Sequence, residues 1–204
     1  MGTQTDEHHE QDTIDVIWEI EAKMSENTEI GDGIPEMSAK QARDYFHRSY
    51  TSVDGLWFMK VEERWGFKEA LEVDQEVWKI LPKIQARTVR SLLGLGDGMS
   101  SLRACLGSRL RLEGFDFQMG LVDAKDGETV FDLLISMCPW QELLHKSGRG
   151  CLGPQIGPLI CGTEMSVWAT EFGDIECQAL SRICGGDRYC RHRFATRAGQ
   201  PPAP

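Results

Sequence analysis

Four of the seven cysteines fall in the last quarter of the chain, as Cys161, Cys177, Cys184 and Cys190, with Asp187 and His192 beside the final pair. Thiolates are soft donors, and this density suits a metal or iron–sulfur site better than a disulfide framework, the more so because seven is an odd number. Cys184 and Cys190 flank a CGGD turn that can bend two sulfurs onto one ion, although their five intervening residues exceed the roughly two to four of a zinc knuckle. Further donors must come from elsewhere. Cys138 ends an apolar strand just before Pro139, and Cys161 lies three residues before Glu164 on one helix face. The set Cys138, Cys161, Cys184 and Cys190 suits tetrahedral zinc or a four-iron cluster equally, and Asp187, Glu164 or His192 in place of one thiolate would make a harder or more open site. Cys105 and Cys177 read as small buried hydrophobes, and Cys151, in GRGCLG, keeps no assigned role.

An enzyme built on such a centre needs a Lewis acid with an open position, a proton-transfer group and a substrate contact. Glu164, one turn from Cys161, is the first choice for the proton, followed by Asp187 and then His192. Asp54 and Trp57, on a helix face with Tyr50 and Val61, are the candidate substrate contacts. The chain contains no GxSxG elbow, GK[ST] phosphate loop, HExxH or strand-following GxGxxG. Three uses stay open: a metal- or cluster-dependent enzyme on a small sulfur- or nitrogen-containing molecule, a small-molecule or redox sensor, and a structural zinc protein.

These residues have to be positioned by a chain of 204 residues, 41% hydrophobic and 26% charged, enough for one buried core and a helical extension. A net charge of −10 argues against a nucleic-acid partner, and the basic run Arg182, Arg188, Arg191, His192, Arg193 and Arg197 reads as a solvated strand face or an anion contact. The acidic N-terminus MGTQTDEHHEQD is neither a secretory signal nor a transit peptide, and no apolar run is long enough for a bilayer, so a cytoplasmic protein with no membrane contact is expected.

Apolar spacing predicts helices over 14–24, from an N-cap at Ser38 to Gly66, over 67–93 with a kink or break at Pro82, and over 100–112. Alternation then predicts a hairpin over 115–137, a short helix after Pro139, a helix over 156–172 carrying Cys161 and Glu164, and a second hairpin over 175–196. The expected fold is α+β: N-terminal helices followed by a β-β-α-β-β antiparallel sheet domain with a cysteine-rich metal or iron–sulfur site. Its parts are a disordered tail over 1–12, a helical region over 13–113, the cysteine-rich domain over 114–197 and a tail over 198–204. The long helices bearing Trp57, Trp65 and Trp78 suggest a homo-oligomer as well as a small-molecule ligand.

Four stretches carry a resemblance: Asp54 to Arg87, CPWQELLHKSGR from Cys138 to Arg149, ICGTE from Ile160 to Glu164, and CGGDRYCRHRF from Cys184 to Phe194. Over roughly 40–195 the chain resembles a prokaryotic family labelled L-2-amino-thiazoline-4-carboxylic acid hydrolase-like. Its hairpin, helix, hairpin order is also similar to the four-vinyl-reductase domain, a small-ligand sensor fold. The resemblance implies an α+β domain with a cysteine-bound metal, and hydrolysis of a C–N or C–S bond is the activity implied by the family label.

Overall fold

The computed structural model describes residues 35–122 and 130–196. The chain divides into two compact units, Met1–Ser49 and Tyr50–Pro204. The helix expected over 14–24 and both expected tails lie outside the described residues.

Helix α1, Ala39–Trp65, begins at a reciprocal cap: the Ser38 hydroxyl accepts the Gln41 backbone N–H at 3.3 Å, and the Ser38 N–H donates to Gln41 Oε1 at 2.9 Å. Its expected apolar stripe is largely turned outward, since Val61 is buried while Val53 and Trp57 are 67% and 63% exposed. Helix α2, Phe67–Leu92, runs unbroken through Pro82, which is fully buried. A proline costs the helix one backbone hydrogen bond, yet here its ring is fully buried and the helix continues through it. Helix α3, Met99–Leu112, presents Leu102, Cys105, Leu106 and Leu110 to the core, so Cys105 is the small buried hydrophobe expected. The Gly98 N–H donates to the Phe172 carbonyl at 2.7 Å and ties the start of α3 to a turn much later in the chain.

Strands β1, Asp116–Val122, and β2, Val130–Met137, form the first hairpin. Helix α4, Pro139–Lys146, follows, then a single 3-10 turn at Gly150–Leu152 and helix α5, Gly153–Thr170. Strand β3, Ile175–Ser181, a 3-10 turn at Ile183–Gly185, and β4, Cys190–Thr196, complete the sheet. Its order is β1-β2-β4-β3, with every neighbour antiparallel. The helices followed by a four-stranded antiparallel sheet are the α+β architecture anticipated from the alternation of apolar residues.

One sheet face carries Phe131, Leu133 and Ile135 of β2 with Phe194 of β4 into the core under α3 and α5. Phe131 and Phe194 are register partners and stack at 4.7 Å. On the other face Asp132 is buried between two arginines, with Arg191 Nε at 2.9 Å and Arg193 Nε at 2.8 Å. Two of the basic residues in the C-terminal run therefore neutralise one carboxylate of the sheet. No helix among the described residues is long and apolar enough to cross a membrane.

Candidate metal and ligand site

The sheet register decides where the sulfurs meet. Ile135 of β2 pairs with Cys190 of β4, so the end of the first hairpin and the turn of the second lie at the same end of the sheet. Cys138 is the residue that caps α4 directly after β2, with Pro139 at the first helical position. Cys184 sits in the 3-10 turn that precedes β4, closed by Gly186 in the left-handed region at φ 98°. Cys161 comes from the middle of α5, which crosses this end.

Glycines in the first turns of α5 let the second turn approach. A Cβ on Gly157 would stand 2.5 Å from the Cys184 sulfur, and one on Gly153 3.4 Å from the Cys184 Cβ. Cys184 thus lies in a groove that only glycine leaves open.

The four thiols feel one another electrostatically. Burial pushes the Cys161 thiol well up, and Glu164, Cys138, Cys190 and Cys184 push it the same way. Burial raises Cys138 to about 11, the N–H groups of Gln141 and Trp140 at the start of α4 pull against it, and Cys190 and Glu164 add to the rise. Cys190 is raised by burial, opposed by the Ile183 N–H, which donates to its sulfur at 3.3 Å. Cys184 is raised by burial as well, with Arg182 and then the N–H groups of its own turn favouring its thiolate. Among the described residues, no group of three or more His, Cys, Asp and Glu side chains is drawn together closely enough to hold a metal ion. The thiols share a locus without converging on a common centre. The metal or cluster site expected on Cys138, Cys161, Cys184 and Cys190 is therefore not formed among the described residues; the thiols share soft-donor character, backbone N–H groups beside the sulfurs and, at Cys184, a glycine groove.

Both carboxylates expected to move protons have structural partners. Glu164 is buried and ion-paired with Arg109, Nη2 to Oε1 at 2.5 Å but off the hydrogen-bonding line, and Arg109 also donates to Glu113 at 2.8 Å. Burial raises the Glu164 carboxyl and Arg109 opposes the rise. Asp187 is exposed and accepts the Arg182 backbone N–H at 2.8 Å, closing the turn.

The expected substrate contacts separate. Trp57 faces outward with Trp65, 60% exposed, whereas Trp78 of α2 is buried. Asp54 turns toward α2, where burial lifts its carboxyl to about 6, and Asp74 opposite is lifted by burial and by Asp54 to about 7, held back by the Trp78 indole N–H. Tyr50 lies between these acids and the Arg109 group. Its hydroxyl is buried without a hydrogen-bond partner, and burial followed by the Glu113 charge pushes its pKa far up. Trp140 meets both Tyr50 and Trp78 edge-on, at 6.0 and 6.2 Å. Arg109, Glu113 and Asp74 were not anticipated. The legible sign for the first two was a charged pair one turn apart beside Leu106 and Leu110 on the helix face that the core requires.

Beside the thiols an open cleft of about 520 Å³ separates α5 from β3 and β4. Pro158, Leu159, Met165 and Val167 form its apolar wall, and Cys177, Arg182 and His192 its polar side. His192 is buried, which depresses its pKa to about 4 with Arg182 adding to the effect, and its Nδ1 lies 3.9 Å from the Cys177 sulfur. Cys151 is exposed in the 3-10 link before α5.

No curated protein matches the chain. Among solved structures, the phenol-responsive sensory domain of the transcription activator PoxR, crystallised with phenol, is similar over 71% of this chain and 73% of its own, at 11% identity and a TM-score of 0.43. The profile of a family of unknown function, DUF6125, matches residues 38–142, from the N-cap of α1 through both strands of the first hairpin and Cys138 into α4. That match spans more than half of the chain, which therefore belongs to the DUF6125 family.

Proposed function

We propose that this protein is a small-molecule-binding domain organised by a cysteine-held metal, with zinc or an iron–sulfur cluster on Cys138, Cys161, Cys184 and Cys190 and the ligand in the adjoining cleft. What supports the reading is that four cysteines, from a helix cap, a helix interior, a 3-10 turn and a strand start, lie near one end of the sheet, close enough to influence one another electrostatically though not drawn onto a common centre among the described residues. A cation would offset the cost of ionising buried thiols, and the backbone N–H groups beside the sulfurs favour thiolate. The metal-bearing turn and the cleft share residues, because Arg182 lines the cleft and also acts on Cys184 and Cys190. A bound metal would rigidify this turn and so shape the floor of the ligand site.

Binding without turnover is favoured over thiazoline hydrolysis by the positions of the two carboxylates. Glu164 is buried against Arg109, and Asp187 holds the turn through one oxygen and faces solvent outside the cleft lining, so neither is placed against a ligand in the cleft.

The test is anaerobic purification with metal analysis and a visible spectrum. Absorbance near roughly 400 nm identifies a cluster, and a colourless zinc-containing preparation identifies zinc. Cys184→Ala and Cys190→Ala should each lose the metal, and full metal content in both would overturn the ligand assignment.

A further inference from the structure

We propose that the cleft between α5 and the β3–β4 hairpin is a carboxylate site, in which Arg182 takes the head of a small organic acid whose apolar body lies along Leu159, Met165 and Val167. This names the ligand class for the cleft and rests on the ligand-binding reading above. Its size suits such a molecule, since about 520 Å³ falls within the roughly 300–1,000 Å³ of small-molecule sites.

Arg182 is set apart from the other partly buried arginines. Arg87 pairs with Glu171, Arg109 with Glu113 and Glu164, Arg149 with Glu62, and Arg191 and Arg193 with Asp132. Arg182 forms no ion pair among the described residues, and its Nε is buried without a hydrogen-bond partner. The nearby Asp187 carboxylate is engaged on the Arg182 backbone N–H. In a chain of net charge −10, a guanidinium that lines a cleft and forms no ion pair among the described residues is a specific place for an anion. A single cation against an apolar wall matches one negative charge, while a second charge on the ligand would be desolvated without compensation.

Benzoate and n-octanoate titrated into the full chain by calorimetry, with benzyl alcohol as the neutral control, test the proposal. The expected result is saturable binding of both acids with dissociation constants of about 10 µM to 1 mM, weakened about tenfold or more by Arg182→Gln. Gly162→Leu should block the cleft and leave the fold intact, because a Cβ there meets nothing within 4 Å and leucine suits a helix better than glycine. No saturable binding of either acid, or binding unchanged in both variants, overturns the proposal. Benzyl alcohol binding as tightly as benzoate also overturns it and leaves the ligand-binding reading standing. A preparation that holds no metal and still binds benzoate through Arg182 supports the carboxylate site while removing the metal.

Discussion

Replacing Gly157 with alanine would put a methyl carbon 2.5 Å from the sulfur of Cys184. Ordinary contact between such atoms is about 3.5–4.0 Å, so the sulfur must move by roughly 1 Å or more, most simply by rotating about the Cα–Cβ bond. A zinc–sulfur bond of about 2.3 Å tolerates only about 0.2 Å of error, so in the proposed metal site a displacement of that size would remove Cys184 from the ligand set. The two consequences have opposite signs. Without metal, alanine in a helix interior gains up to about 1 kcal/mol over glycine, because it loses less backbone entropy on folding. With metal, affinity should fall by about 10- to 100-fold, the range for disturbed supports of a metal ligand. Competition against a chromophoric chelator gives the affinity, and thermal melts with and without chelator give the two stabilities. The variant should melt as high as the parent or higher in chelator and lower than the parent when loaded. Metal affinity equal to the parent's would refute the placement of Cys184 among the ligands.

Glu164→Gln removes one carboxylate from a buried arginine and should cost about 3 kcal/mol in urea unfolding, toward the low end for a broken buried pair because Glu113 remains. A loss below about 1 kcal/mol would show the pair to be solvated. Asp54 and Asp74 titrate at about 6 and about 7 in the folded protein against an ordinary 3.8, so the folded state holds more protons than the unfolded chain from about pH 4 to 7. Their contribution is therefore a loss of stability as pH rises through that window, complete above it. Asp74→Asn should stabilise the protein on the order of 1–2 kcal/mol at about pH 8 and flatten the profile below it, and an unaltered slope would contradict this. Cys105→Ala trims a core side chain and should cost about 1–2 kcal/mol while leaving metal content unchanged, whereas loss of metal would make Cys105 a ligand.

Much of the architecture was readable in advance because it depends on local periodicity. Alternation in Phe115, Phe117, Met119 and Leu121 followed by an apolar run over 129–137 marked the first hairpin, and the CGGD turn marked the second. Ser38 signalled the start of α1 as an N-cap residue, and the structure adds Gln41, three residues on, as its reciprocal partner. Pro82 misled in part, since its local cost predicts an interruption, yet the helix continues through its fully buried ring. The stripe on α1 misled more: helical spacing of Val53, Trp57 and Val61 identifies a face, yet burial depends on which neighbour arrives to cover it.

The order of helices and strands, the core character of Cys105 and the placing of Cys161 and Glu164 on one helix face follow from side-chain spacing along single elements, which the chain specifies by itself. The partners of Glu164, the meeting of Asp54 with Asp74 and the lack of an ion pair for Arg182 among the described residues depend instead on contacts between elements far apart in sequence. Those contacts are set by strand register and helix packing, as when the pairing of Ile135 with Cys190 carries the second turn to Cys138. Local spacing determines which way a side chain points from its own helix or strand; only the assembled core determines what it meets.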